Sequence, residues 1–557
     1  MGSESSPRAS GVPQTEQRFT LVRELRRRVR EHPQATLVHW LEASDANGAH
    51  STTYAEMDLL ARQWAAFLRE RGVHAGDRVA LISNHGKGFV AAALGAFYLG
   101  AVIAPLSAEL RGDSLRRPLL LFAPRVVVVD AEFAHLVDQI VRDLRDESGP
   151  VPEIVHSDDE LRSAVAQSSA IEEPESTKLS QPCLIMSTSG TTGPSKGSLW
   201  DFGTLEAWAD TYRAQLAYGQ DDRIYCCTPL MHANAFVAGL ATAIYSGCSI
   251  AHATRFSVSG FWRDVMASNS TTANILGSMI HVLLADSTKN GASIPTFFRS
   301  MLVSSCTASA YEQIVADWGI FPVCAYGLTD FGNLTISAAG QPTPAGSCGR
   351  AVDKFEIRLV DSEDDPVAVG RTGELVVRPR SSWSAPQEYF GMPIETLASR
   401  CNLWFHTGDL LRQDEDGWFY FAGRLKEAMR YRGENVSAFE VESAFLACSE
   451  VREAAVYAVP SELGEDEIVA AIVARDEDVA IDLSDLITRV SCELPYFAVP
   501  RFVRVLTALP KNGSQRVVKA ELVKDGIALG TWDRLAAGID VARNRARASK
   551  AAAIANS

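Results

Sequence analysis

Between residues 35 and 130, short unbroken apolar runs alternate with longer stretches in which apolar residues return every three or four positions. The runs LVHW, RVALIS and RVVVVD predict strands buried on both faces. In 54–72 the recurrence of Met57, Leu60, Ala61, Trp64, Phe67 and Leu68 predicts an amphipathic helix. This alternation predicts α/β layers. The stretch 148–182 is rich in Pro, Ser, Asp and Glu and weakly periodic, so it reads as a surface excursion before the strand LIMS (184–187). Beyond Pro342, the strand-like pieces FEIRLV, GELVVRP and GWFYFAG, separated by acidic turns, predict a small β-rich module closing a large domain. A break near Arg424 introduces a unit of about one hundred residues. It carries helices over 437–448 and 483–494 and the strands AAVYAV, IVAAIVA and FVRVL, a small α+β domain. The expected division is a polar leader over 1–18, a large domain over 19–424, a small domain over 425–533 and an Ala- and Arg-rich tail over 534–557.

Composition narrows the function classes. A chain of 557 residues that is 46% hydrophobic needs more than one core and has room for a large cleft. Its net charge of −15 argues against a protein whose work is neutralising nucleic-acid phosphates. The longest apolar stretch, 89–103, is interrupted by glycine and too short for a membrane span. The leader lacks an apolar signal core, so a cytoplasmic setting is expected. The ten cysteines include no CxxC pair and no histidine at zinc spacing, which predicts reduced, mostly buried thiols. Oligomeric state leaves no mark in the sequence.

The densest chemistry follows the LIMS strand: Ser187-Thr188-Ser189-Gly190-Thr191-Thr192-Gly193-Pro194-Ser195-Lys196-Gly197. Glycines and small hydroxyl residues let backbone N–H groups close on anionic oxygens while a lysine adds charge, which is how a loop cradles phosphates. The spacing is not that of a P-loop, since no Gly-Lys-Ser/Thr follows a glycine at the required distance. A flexible linker has no need of an embedded Pro-Ser-Lys-Gly directly after a strand.

Through this loop the chain resembles the adenylate-forming superfamily of acyl-CoA synthetases, peptide-synthetase adenylation domains and luciferases, whose signature reads STSGTTGxPKG. Seven further blocks continue the resemblance in order: PLMHANAF (229–236), AYGLTDFG (325–332), GSCGR (346–350), GELVVRP (373–379), WFHTGDL (404–410), GRLKEAMRYRGENVS (423–437) and LPKNGSQRVVK (509–519). The RGENVS and LPKNGS segments look most like short-chain and carnitine-type acyl-CoA ligases. The resemblance implies a large multi-layer α/β domain with a small β-rich module and a mobile α+β lid. It implies that Thr188, Ser189, Gly190, Thr191, Thr192, Gly193 and Lys196 hold phosphates, with Tyr326, Gly327 and Thr329 completing the nucleotide site. Thr329 would contact the α-phosphate and Asp330 would hold Mg²⁺. Asp409 would take the ribose hydroxyls beside Arg424. Lys426 would be the hinge, and Gly433 would let an acceptor thiol pass. His232, Asn234 and Phe236 would border the acid pocket, with Ser305, Cys306, Thr307 and Gly327 on its wall.

Besides the transposed Pro194-Ser195 of the phosphate loop, the chain departs from the family pattern at three places. Asp330 stands where glutamate is usual, which sets the carboxylate one methylene back. Ser304-Ser305-Cys306-Thr307-Ala308 replaces the usual Gly-Gly-Ala, so the wall should be narrower and more polar and favour a short or polar acid. Arg516 occupies the register of the lysine in PKTxxGK. A guanidinium keeps the charge and can grip two oxygens, but its geometry differs, and Lys511 or Lys519 are alternative cations. The expected function is ATP- and Mg²⁺-dependent adenylation of a small acid, with release of pyrophosphate and transfer to an acceptor, CoA first. The resemblance leaves open carrier-protein loading, amide formation, a diazotase-like activation of nitrite for an aryl amine, and a nucleotide-binding protein without catalysis.

Overall fold

The computed structural model describes residues 19–541 apart from 42–49, 84–85, 109, 111, 147–150, 158, 176–177, 188–195, 291–293, 426–427, 432–433, 461–465, 477–478, 495–497, 512–515, 529 and 540. The phosphate loop 188–195, the hinge residue Lys426 and Gly433 therefore lie outside the described residues.

Two large sheets face each other across a layer of helices. The first has a parallel centre in which Thr36–Leu41, Ser249–Ala253, Arg223–Cys226, Thr272–Leu276, Ser300–Ser304 and Val323–Leu328 lie side by side in that order. Beyond Val323–Leu328 the sheet turns antiparallel through Gly332–Ile336, Ser347–Ala351, Trp418–Arg424, Phe405–Gln413, Thr372–Pro379 and Phe355–Val360. This continuation contains the three strands expected of the β-rich module. The second sheet is parallel through Pro182–Ser187, Val102–Pro105, Arg78–Ile82, Val126–Asp130 and Glu153–Ser157, with Gly197–Asp201 antiparallel at one side.

The helix Tyr54–Glu70 begins where predicted because Thr53 and Glu56 form a reciprocal capping box: each side chain accepts the other's backbone N–H, at 3.2 and 2.8 Å. Its buried Met57, Ala61, Trp64 and Phe67 meet the helix Gly86–Tyr98, which is apolar on nearly every face and lies in the middle layer. Only glycine fits at position 95, where a Cβ would stand 2.6 Å from Trp64 Cβ and 2.8 Å from the Ala61 carbonyl. Helices Phe261–Ala267 and Gly277–Asn290 cover the outer face of the first sheet, and Asp113–Phe122 and Ala134–Asp146 that of the second. The result is helix, sheet, helix, sheet, helix.

The small domain carries the hairpin Ala428–Tyr431 with Glu434–Ser437, the helix Ala438–Leu446, and a sheet ordered Val451–Pro460, Asp466–Ala474, Phe502–Leu506, Trp532–Asp533. Two expectations need correction. The stretch 148–182 is not a bare excursion: Glu153–Ser157 is an edge strand, and helix Asp159–Gln167 buries Leu161 and Val165 in the inter-sheet core. The small domain does not stop at 533: Arg534 is buried, with Nε donating to the Pro500 carbonyl at 3.1 Å, and Val541 joins the domain's core. Among the described residues no helix is long and apolar enough to cross a membrane. All ten cysteines are free thiols.

Candidate active site

The segments singled out for chemistry follow the carboxyl ends of neighbouring parallel strands, where ligands gather in open α/β sheets. His232 comes after Arg223–Cys226, Ser305 and Cys306 after Ser300–Ser304, and Thr329 and Asp330 after Val323–Leu328. Thr329 and Asp330 occupy the turn between Val323–Leu328 and Gly332–Ile336. Both Gly327 and Gly332 are required by that hairpin. A Cβ on Gly327 would lie 2.2 Å from the Gly332 carbonyl, and Gly332 has φ +77° with the Trp208 ring where a side chain would go.

Asp409 is 5% exposed, and both of its carboxylate oxygens are engaged. Tyr326 donates its hydroxyl to Oδ2 at 2.7 Å, and Arg424 Nε lies 3.2 Å from Oδ1. Strand register brings this about, since Asp409 stands directly opposite Arg424. The turn before it is fixed by Thr407, whose hydroxyl donates to the Leu375 carbonyl at 2.7 Å and accepts from Asp409 N at 3.1 Å, and by Gly408 N donating to Glu374 at 2.9 Å. Burial and the Asp409 charge hold the Tyr326 hydroxyl far above its ordinary ionisation range, so it remains a donor.

Asp330 is in a different state. Burial pushes its carboxyl up to about 6, against hydrogen bonds from Tyr389 and Ser198 and the charges of Lys196 and Arg400. Its Oδ1 is shut off from solvent and has no hydrogen-bond partner. Lys196 lies over the Tyr389 ring at 4.5 Å, which holds its ammonium near the carboxylate.

The lid supplies Arg516. It is open to water on one side yet surrounded by protein: burial and Arg424 lower its ionisation, and Asp409 opposes them. Its charge also reaches His232, whose imidazole is pushed down to about 4 by burial first and Arg516 second, and is therefore neutral near pH 7. The alternative cations are engaged on the lid, with Lys511 Nζ 2.5 Å from Glu453 and Lys519 Nζ 2.8 Å from Glu442.

Residues 25–383 match the family model of the AMP-binding enzyme, and 440–516 that of the AMP-binding enzyme C-terminal domain. The chain belongs to this family. It is an adenylate-forming ligase of the acyl-CoA synthetase type. Curated relatives include the long-chain-fatty-acid–CoA ligase FadD13 of Mycobacterium tuberculosis, 28% identical over 84% of this chain and 92% of that protein. Another is the feruloyl-CoA synthase of an Amycolatopsis species, 29% identical over 89% and 97%. The fold is that of ATP-bound MatB from Rhodopseudomonas palustris, with a TM-score of 0.80, 23% identity and coverage of 91% of this chain and 99% of that one.

The residues expected to border the acid pocket lie in different settings. Phe236 is not on an open wall: it is fully buried and meets Phe89 and Phe97 edge-on in the inter-sheet core. Thr307 caps a helix, its Oγ1 accepting from Ala310 N at 3.3 Å. The Cys306 thiol donates to the Thr307 carbonyl at 3.7 Å, and its nearness together with burial keeps the Cys324 thiol from ionising. Ser305 is exposed at φ +63°, a left-handed conformation that favours glycine. Asn234 Oδ1 accepts from Thr228 Oγ1 at 3.1 Å. Sequence reasoning passed over Ser198, Tyr389 and Arg400, which flank Asp330 from a strand edge and a loop and carry no local signal of chemistry.

Proposed function

We propose that this enzyme adenylates a small carboxylic acid and passes the acyl group to the thiol of CoA. The observation that carries the reading is the approach of Arg516, from the lid, to His232, Arg424 and Asp409 of the large domain. A cation at this place steadies the acid's carboxylate against the α-phosphate as the oxygen attacks and pyrophosphate leaves. Asp409 and Arg424 would hold the ribose, and Lys196 and Thr329 the phosphates. Asp330 suits Mg²⁺, because a hard cation shared with phosphates takes one or two carboxylates and Asp330 presents an unpartnered oxygen. Bound there, Mg²⁺ would draw charge off the phosphates. CoA as acceptor is supported by relatives that are CoA ligases, and a cytosolic setting by the ten free thiols.

The test is pyrophosphate release from ATP across a panel of small acids, nitrite included, with and without CoA and amines. Release with carboxylic acids and thiol consumption when CoA is added are expected. ATP binding without release for any acid would refute catalysis. Turnover only with nitrite and an aryl amine would replace the acyl-transfer reading by the diazotase one.

A further inference from the structure

Asn274 lies in the middle of Thr272–Leu276, 0% exposed, and neither its Oδ1 nor its Nδ2 has a hydrogen-bond partner. Among the described residues no other side chain is buried with two polar atoms so unmet. Each unmet group loses its hydration with nothing gained in return. Native interiors rarely keep such a group unless something outside the protein chain completes it.

The surroundings indicate where that partner comes from. Ala273 and Ile275 turn toward the outer helices, so Asn274 turns to the opposite face of the sheet. There the register sets it between Cys226 and Leu302, both in the inter-sheet core. The short helix Ala233–Ala235, which His232 begins, packs on this strand. Asn274 thus lies on the strand beneath the segment that begins at His232, the residue on which the Arg516 charge acts.

The row to which Asn274 belongs is uncharged. Reading across the strands it runs Trp40, His252, Cys226, Asn274, Leu302, Val323. His252 is neutral, since burial pushes it down to about 4, and its Nδ1 is likewise unpaired while Nε2 meets the Thr228 carbonyl at 3.3 Å. A second carboxylate or an ammonium at this depth would lose its hydration with no opposite charge to meet it. A neutral group that both donates and accepts would be completed by the amide.

We propose that Asn274 determines specificity for the acid by hydrogen-bonding a neutral polar substituent, such as a hydroxyl, aryl amine or carboxamide, at the end of the substrate remote from its carboxylate. The inference rests on the reading that an acid is adenylated between His232 and Arg516. It makes the substrate a short or aromatic acid with a polar far end rather than a plain hydrocarbon chain or a dicarboxylate. A site built to hydrogen-bond a substituent discriminates strongly against the analogue that lacks it, because its own groups are then left unpaired.

The test compares kcat/KM for pyrophosphate release on matched acids, benzoate against 3-hydroxy- and 3-aminobenzoate and butyrate against 4-hydroxybutyrate, in the wild type and in Asn274→Leu. Leucine is close to asparagine in size and has no polar atoms. The wild type is expected to prefer the polar member of at least one pair by about tenfold or more, and the variant to lose that preference by a similar factor. Asn274→Leu should also raise the melting temperature of the ligand-free enzyme, because it removes two unmet polar atoms, whereas a structural amide would lower it. Equal use of both members by the wild type, or an unchanged ratio in a folded, active variant, would overturn the inference. A lower melting temperature with both members slowed equally would assign the amide a structural role and overturn it too. No pyrophosphate from any acid would instead overturn adenylation, and this inference with it.

Discussion

Arg516→Ala tests the site most directly, because the chain carries an arginine at the register of the lysine in the family pattern. The structure engages the neighbouring cations elsewhere: Lys511 pairs with Glu453 and Lys519 with Glu442, while the Arg516 charge acts on His232 and is opposed by Asp409. A unit charge about 5 Å from charge developing at the reacting carboxylate, at an effective dielectric near 20, contributes about 3 kcal/mol. That corresponds to a fall of roughly 200-fold in adenylation, within the range of about 10²–10³ seen when one oriented donor is removed. Pyrophosphate release without acceptor reports the first half-reaction, and thioester formation from supplied acyl-adenylate and CoA the second. Adenylation should collapse while transfer survives, and Arg516→Lys should restore part of the first step because the charge returns without the fork. If Arg516→Ala adenylates at the wild-type rate and Lys519→Ala does not, the assigned register is wrong and Lys519 is the cation.

Asp409→Ala leaves the buried Tyr326 hydroxyl and Arg424 without their shared acceptor; nucleotide affinity measured by calorimetry should fall about tenfold or more, with preference among acids unchanged. Ser305→Gly should stabilise the protein by up to about 1 kcal/mol, since a left-handed backbone costs a serine more than a glycine, and a lower denaturant midpoint would refute that account of φ +63°. For pH, the folded value of His252, about 4, lies below the unfolded value, so the unfolded chain takes up the proton first and stability is lost as pH falls from 6.5 toward 4. His232 and His39 act in the same direction, whereas Asp330, raised to about 6, gains stability as it protonates. Denaturant titrations of wild type and His252→Asn should diverge by up to about 3 kcal/mol between pH 7 and 4, and parallel curves would refute a buried neutral imidazole there.

The sequence by itself determined the class of fold, the order of the chemical segments and the family. Helix and strand periods are local properties: the spacing of Met57, Ala61, Trp64 and Phe67 suffices for a helix. The motif blocks were likewise readable because each is contiguous. Partnership is not local. Asp409 and Arg424 meet because two antiparallel strands share a register, and Asp330 finds Tyr389 and Ser198 only because the Glu388–Tyr389 strand adds to the edge of the second sheet beside Gly197–Asp201.

Tertiary structure alone also decided which plausible site residues were available. Phe236 and Thr307 were named from the sequence for the pocket, and the fold packs the ring in the core and uses the hydroxyl to cap a helix. Three cations lie along LPKNGSQRVVK, and the lid's own acids occupy two of them. Asn274 gave no signal at all in a strand of ordinary composition. Its meaning appears only when neighbouring strands and an overlying helix close around an amide and leave it nothing to bond, because a polar group's cost depends on whether water or a partner can still reach it.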